Sequence, residues 1–325
     1  MKCILITGIS GSGGSYLAEH ILKKKNKIKI VGTYRNGKSL KRFNLNKIKK
    51  KIILYKCDLQ NYKKVKILIQ KYKPNLIYHL ASNADVKLSF MEPKNIIENN
   101  NSITLNLLEA AKNTKFKGKI VICSTSEVYG DVESKRQPIT EKTAINPINP
   151  YAVSKTFQDL LSQNYNTIYG LKIIITRMFT YLNARRDNLF ASAFANQLTE
   201  IKHGKRKSLQ HGNLNTLRSV LDIRDAMEAY WLAGTKGKVG EIYNICGTKK
   251  ITVKNFLYSM IKLLNVRPKL ILDKSLVRPN DISIQISNCK KFKKDTGWRE
   301  KYNFEIAMNF FLDEIEKKLK HKKVI

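Results

Sequence analysis

Through the first half of the chain, short runs dense in isoleucine, valine and leucine alternate with longer stretches whose apolar positions recur every three or four residues. The runs at 2–7, 27–33, 51–55, 76–80, 119–123 and 171–176 read as strands. The stretches at 15–24, 62–72, 96–112 and 150–169 read as helices. Within the third of these, Ile103, Leu107, Leu108 and Ala111 share one helical face, so that helix is expected to bury one side. Strand, helix, strand in this order builds a parallel sheet with helices across its faces. After about residue 176 the alternation weakens, and irregular segments rich in polar, basic and aromatic residues carry later helices at 253–264 and 304–318. The pattern predicts an α/β chain with a doubly wound parallel sheet over residues 1–176, which also receives a segment near 219–247. The rest of 177–325 is expected to form a smaller α/β substrate-binding part.

Composition narrows the function classes. A chain of 325 residues with 42% hydrophobic and 26% charged positions is neither disordered, collagen-like nor a disulfide scaffold. The longest apolar runs, at 52–54 and 173–175, are far too short to cross a membrane, and the opening apolar stretch is too short for a signal peptide. Five cysteines with no CxxC spacing point to a reducing, cytoplasmic setting and give no metal site. The net charge of +36, from 61 Lys plus Arg against 25 Asp plus Glu, raises nucleic-acid binding as an option. The excess is mostly lysine, spread along the chain with clusters at 23–29, 47–51 and 317–323, and no RNP1 segment, Cys/His finger or basic zipper accompanies it. These clusters read as solvated faces, so no nucleic-acid partner is expected. The field nevertheless favours an anionic small molecule such as a nucleotide.

Candidate chemistry begins at the first strand. Thr7-Gly8-Ile9-Ser10-Gly11-Ser12-Gly13-Gly14-Ser15 sets Gly8, Gly11 and Gly14 three apart between a strand and a helix. Gly8 permits the tight turn, Gly11 lets backbone approach a pyrophosphate, and Gly14 lets helix and strand pack closely, which is the dinucleotide fingerprint of a Rossmann-type sheet. A site for NAD places an acid about 20 residues further on, against the ribose 2′-hydroxyl. Here the second strand ends Gly32-Thr33-Tyr34-Arg35-Asn36, with Lys38, Lys41 and Arg42 close behind; Arg35 in place of an acid suits the 2′-phosphate of NADP. Asp58 and Leu59, ending the third strand, lie where the adenine ring would be held, with Asp58 as a helix cap the alternative.

Two further stretches define a reaction site. Ser124-Thr125-Ser126-Glu127-Val128-Tyr129-Gly130 leaves a strand, and Tyr151-Ala152-Val153-Ser154-Lys155 opens a helix after Asn149-Pro150. Tyrosine and lysine at i and i+4 share a helical face, so the ammonium is expected to lower the phenol's pKa and make Tyr151 a base, with the Thr125 hydroxyl on the same substrate oxygen. With these residues in this order, the chain resembles the extended short-chain dehydrogenase/reductase family (NAD-dependent epimerases and dehydratases) over nearly its full length. Within it, TGISGSGGSYLAE from Thr7, STSEVYG from Ser124 and Arg278-Pro279-Asn280-Asp281 are most similar to the GDP-mannose 4,6-dehydratases. The segment from Gly212 to Arg218, followed by Asp222 to Trp231, is similar to both those dehydratases and the GDP-4-keto-6-deoxymannose reductases.

The resemblance implies an NADP-dependent hydro-lyase with Thr125, Tyr151 and Lys155 as the hydride-transfer group. Tyr151 and Lys155 would also contact the cofactor. Glu127 would be the base that a 4,6-dehydratase needs at C5 and a simple reductase or epimerase does not. A reductase, epimerase or decarboxylase of the same family stays open as an alternative, as does an NADP-sensing or RNA-binding member that has lost the chemistry. Arg218 and Arg278 correspond to family arginines on the nucleotide diphosphate, and Arg185 and Arg186 to an arginine pair of the mannose dehydratases. A GDP-linked hexose is the expected substrate partner. A homodimer through the helices beginning near Ile96 and Pro150 is implied, with a homotetramer the alternative. The chain departs from the dehydratase pattern at Thr180 (usually Asn), at Gly13 (usually Asp) and after the second strand, where an arginine-serine segment survives as Arg35 and Ser39. His79 and Asn83 end the fourth strand beside the expected cofactor pocket, and His79 is equally readable as a core residue.

Overall fold

The computed structural model describes residues 2–24, 28–37, 43–277 and 280–322. In chain order the first half contains β1 (Lys2–Thr7), α1 (Ser12–Lys24), β2 (Ile28–Tyr34), β3 (Ile53–Lys56), α2 (Tyr62–Tyr72), β4 (Leu76–His79), α3 (Val86–Met91), α4 (Pro93–Asn113), β5 (Lys119–Thr125), α5 (Pro150–Tyr169) and β6 (Lys172–Met178). The second half contains α6 (Phe190–Lys202), β7 (Ser208–His211), β8 (Leu217–Val220), α7 (Ile223–Lys236), β9 (Ile242–Ile245), β10 (Lys249–Thr252), α8 (Val253–Leu264), β11 (Lys269–Leu272), β12 (Ile284–Gln285), α9 (Lys290–Thr296) and α10 (Phe304–Lys322).

Seven strands form a wholly parallel sheet in the order β3-β2-β1-β4-β5-β6-β9. The strand order reverses between β1 and β4, the switch point at which open α/β sheets take their ligands beyond the carboxyl ends of the strands. Apolar residues on one face of the sheet, such as Leu5, Ile77 and Ile122, pack with Leu68 of α2, Leu107 of α4 and Tyr165 of α5. The opposite face packs Ile6, Tyr78 and Val121 against Leu17 of α1 and Ala226 and Tyr230 of α7. A third cluster joins α6, α8 and α10 around Phe194, Phe256 and Phe311. The three-stranded sheet β10-β8-β12 and the pair β11-β7 complete the second half.

Capping chemistry marks the sharpest boundaries. Asn61 accepts from the Lys64 N–H at the start of α2, and Asn149 does the same for Ala152 at α5, whose first position is Pro150. Gly170, at φ +65°, ends α5 in the left-handed conformation open to glycine. The alternative reading of Asp58 as the α2 cap is therefore wrong, because Asn61 holds that place.

A clamp of long sequence range fixes α7. Oδ2 of Asp225 accepts the N–H groups of Lys301 and Tyr302, both at 3.0 Å, and its carbonyl accepts from Trp298 Nε1 at 3.1 Å. Burial pushes the Asp225 carboxyl up to about 6, against the opposing pull of the two N–H groups. An acid whose pKa rises on folding supports the fold most when protonated, and that support is lost as pH rises from 3.8 through about 6. Asp225→Asn keeps an acceptor and does not ionise. Its melting temperature relative to the native chain is therefore expected to climb across that interval and level off above it. A difference independent of pH would place the burial cost elsewhere.

Candidate active site

The phosphate loop is closed by its own backbone. Gly11 N–H donates to the Gly8 carbonyl at 2.9 Å, and Gly8, at φ +68°, lies so close to Ala81 that a Cβ would stand 2.8 Å from its Cα. A Cβ on Gly14 would stand 2.6 Å from the Gly8 carbonyl oxygen. The turn thus delivers the N-terminus of α1, with its unshared N–H groups, to the switch point, where an anionic pyrophosphate is stabilised. Gly8, Gly11, Gly13 and Gly14 line a cavity of 880 Å³ that runs on past the ends of β5 and β6 into the second half. This close-packed cradle fits a dinucleotide.

The same cavity carries the candidate reactive groups. Thr125 ends β5, and its Oγ1 accepts from the Glu127 N–H at 3.3 Å, starting the single turn that holds Glu127. Tyr151 and Lys155 come from the first turns of α5 and, with Thr125 and Glu127, face the same cavity. Glu127 Oε2 accepts from Asn149 Nδ2 at 3.0 Å. Lys155 Nζ donates to the Cys123 carbonyl and to Gln158 Oε1, both at 2.5 Å. Burial raises the Tyr151 phenol well above its ordinary value, and the neighbouring Cys123 and Glu127 add to the rise; Arg186 and a hydrogen bond with Thr125 pull it down. The expected lowering by Lys155 is not the leading effect: burial is, and Arg186 is the cation that opposes the rise. The Lys155 ammonium is itself destabilised by burial.

The arginines separate. Arg186 and Arg218 line the cavity. Arg186 Nε donates to Asn188 Oδ1 at 2.8 Å and Nη2 to the Ala84 carbonyl, while Arg218 Nη2 lies 3.7 Å from Asp281 Oδ1. Arg185 turns away. Its guanidinium stacks 3.7 Å from the Tyr16 ring centre and bonds Ser15 Oγ at 2.9 Å and Glu19 Oε1 at 2.5 Å, so it ties the loop after β6 to α1. Its expected contact with substrate is not what this geometry provides. Arg278 and Ser39 lie outside the described residues. Arg35 is exposed just beyond β2, and Asp58 and Leu59 follow β3; none of the three lines the main cavity. Thr180 and Gly13 do line it. His79 is a core residue, bonded to Thr7 Oγ1 at 2.9 Å and Thr104 Oγ1 at 3.0 Å, and burial lowers its pKa to about 3. Asn83 is held by backbone bonds to Asn100 and is not on the cavity wall.

Sequence reasoning missed the supporting polar framework. Gln158 Nε2 donates to the Asn100 carbonyl at 2.7 Å and Thr104 Oγ1 at 2.5 Å, so an unbroken buried chain runs from Lys155 through Gln158, Thr104 and His79 to Thr7, beside the phosphate loop. Beside the end of β5, Asp159 receives Arg177 Nε at 2.9 Å, Arg177 Nη2 at 3.0 Å and Ser124 Oγ at 2.8 Å. The spacing of Lys155 to Gln158 and of Lys155 to Asp159 along α5 was the available signal. It also missed Leu189, Phe190 and Phe194, which line the cavity.

A family model described as GDP-mannose 4,6 dehydratase matches residues 5–309. GDP-mannose 4,6 dehydratase 1 of Arabidopsis thaliana is 29% identical over 339 aligned positions, covering all of this chain and 92% of the relative. GDP-6-deoxy-D-mannose reductase of Pseudomonas aeruginosa is 25% identical, covering 77% of this chain and 83% of the relative. The solved structure of dTDP-glucose 4,6-dehydratase from Bacillus anthracis, in complex with NAD, is 25% identical and superimposes with a TM-score of 0.84 over 98% of each chain.

Proposed function

The chain belongs to the GDP-mannose 4,6 dehydratase family, and on that premise we propose that it is a nucleotide-sugar 4,6-dehydratase converting GDP-mannose to GDP-4-keto-6-deoxymannose. The observation that carries this reading is a carboxylate, Glu127, on the same cavity wall as Tyr151 and Thr125. Proton abstraction at C5 needs such a base; hydride transfer alone does not.

NADP is the proposed cofactor. The glycine cradle would hold its pyrophosphate, Arg35 its 2′-phosphate, and Asp58 and Leu59 its adenine end. When bound, it supplies a reversible hydride acceptor at C4 and donor at C6. Tyr151 takes the O4 proton in its phenolate form, which Arg186 and the hydrogen bond with Thr125 favour against burial, while Thr125 bonds the same oxygen. Lys155 is held beside Tyr151 by Cys123 and Gln158. The C4 ketone acidifies C5; Glu127 removes the C5 proton and passes it to the C6 hydroxyl, which leaves as water. The O4 proton held by Tyr151 then returns to C5, which resets both residues and closes a redox-neutral cycle. Arg218, Arg186 and Arg278 are assigned to the diphosphate and sugar, with guanidinium forks matched to phosphate oxygens.

In this reading residues 1–176 with a segment near 219–247 form the dinucleotide-binding part, and most of the remainder binds the nucleotide sugar. Exposed Leu105 of α4 and Val153, Phe157, Leu160 and Ile168 of α5 support a homodimer through these helices. Five free thiols support a reducing, cytoplasmic setting. A GDP-4-keto-6-deoxy-sugar reductase is the second reading, favoured by the similarity to the Pseudomonas reductase. Mass spectrometry of GDP-mannose incubated with the protein and catalytic NADP⁺ separates the two. Loss of one water with no net NADPH formed is expected. An unchanged mass, with NADPH consumed when GDP-4-keto-6-deoxymannose is added, would favour the reductase.

A further inference from the structure

Asn149 occupies the N-cap of α5 in an extended conformation, at φ −147° and ψ 158°, and is almost fully buried. Its two amide atoms do different work. Oδ1 accepts the Ala152 N–H at 2.8 Å, which starts the helix bearing Tyr151 and Lys155. Nδ2 donates to Glu127 Oε2 at 3.0 Å. We infer that Asn149 is a positioning residue for Glu127, coupling the orientation of that carboxylate to the first turn of α5.

The backbone around Glu127 leaves little other freedom. Its N–H bonds Thr125 Oγ1, its carbonyl accepts from Gly130 N at 3.1 Å, and Val128 is tied to Asn146 N at 3.0 Å. Gly130, at φ +64°, presses on the Asn146 carbonyl so closely that a Cβ would stand 1.9 Å from the oxygen. The turn of Glu127 and the segment leading into α5 therefore move as one body, and rotation of the carboxylate about its own stem is the motion left to control. Among the described residues only Asn149 bonds that carboxylate, through one oxygen, which leaves Oε1 to the cavity. A neutral N–H donor fixes the carboxylate's orientation without placing a countercharge on it. Other ionisable groups facing this cavity are Tyr151 and Lys155 of α5, Cys123 of β5, Tyr181, Arg186 and Asp187 from the loop after β6, Arg218 of β8, Tyr230 of α7, Asp281 before β12, and Asp85 and Lys87 at α3.

This inference rests on Glu127 acting as the C5 base, and two cap-preserving variants test it. Asn149→Ser still caps the helix but does not reach Glu127. Asn149→Asp caps the helix and sets a second negative charge against the carboxylate. Glu127 is followed by its carboxyl ¹³C titration, assigned with Glu127→Gln. Water loss and C4 oxidation are followed separately in single turnovers by mass and by nicotinamide absorbance. Asn149→Asp is expected to raise the Glu127 titration by about one pH unit through like-charge repulsion. Asn149→Ser is expected to slow water loss roughly tenfold, the scale of one hydrogen bond to a charged group, with C4 oxidation within about twofold. An unmoved titration in both variants, or slowing shared equally by the two steps, overturns the inference. If the native protein removes water from no nucleotide sugar, the dehydratase reading falls; the titration still decides whether Asn149 holds Glu127.

Discussion

Glu127→Gln is expected to abolish water loss while C4 oxidation continues. Glutamine has nearly the same shape, and its side-chain oxygen can keep the bond from Asn149 Nδ2 seen at 3.0 Å, so the turn from Ser126 to Tyr129 is retained. What disappears is a group able to accept a proton from C5. In the proposed mechanism the hydride step rests on Tyr151, Thr125 and Lys155, none of which changes. Removing a positioned general base costs about 10²–10⁴ in rate. In a single turnover with GDP-mannose, the nicotinamide absorbance is therefore expected to rise and persist, since the reduced cofactor has no enone to return its hydride to. The sugar product retains its C6 oxygen. Dehydration at the native rate would remove Glu127 from the chemistry and pass the role to another group on the same wall.

The second large effect is on stability. Asp159→Asn is expected to cost about 3–5 kcal/mol, because it leaves the Arg177 guanidinium charged and unmatched in a dry site. Arg177 is 2% exposed and Asp159 fully buried, and the carboxylate receives Arg177 through two parallel bonds as well as Ser124 Oγ. Asp159 holds the guanidinium well above its ordinary pKa. Arg177 Nη1 also donates to Tyr129 Oη at 3.0 Å, so the damage reaches the turn that carries Glu127. Urea unfolding followed by fluorescence is the measurement. Replacing both partners, as Asp159→Leu with Arg177→Met, is expected to recover part of the loss, since paired apolar groups avoid the desolvation cost of a lone charge. A single variant that unfolds within about 1 kcal/mol of the native chain would contradict the assignment, because so small a loss is the level of an exposed ion pair.

The helices with the clearest end chemistry were legible in the sequence. The boundaries read for α2, α5 and α8 coincide with the folded ones, because Asn61, Asn149 and Thr252 are side-chain caps and Lys73, Gly170 and Asn265 take the left-handed turn at the far ends. The glycine loop was equally readable, since only local backbone freedom is involved. The strands β7 to β12 are at most four residues long, too short for a period to register. The helix α6 went unread although Ala191, Phe194, Ala195 and Leu198 form a buried stripe, because its start lacks a side-chain cap. Arg185 and Arg186 show another limit. Neighbours in the chain look equivalent, yet one enters the cavity and the other meets Tyr16 and Glu19, partners more than 160 positions away. The state of the Tyr151 phenol was misread for the same reason. A spacing of four residues reports the proximity of Lys155, whereas the burial that dominates is made by elements that converge from the whole chain.

The last strand of the main sheet has a bearing on biosynthesis. β9 pairs with β6, but the ribosome makes α6, β7, β8 and α7 before it. Until residues 242–245 emerge, the β6 edge of a nearly finished parallel sheet stands unpaired, the kind of edge that recruits foreign strands. A nascent chain arrested just short of β9 should therefore need chaperone protection. One arrested past it has the sheet capped by its own sequence. The two halves are interleaved in time as well as in space, so a single cut between them would leave the first half with an open edge.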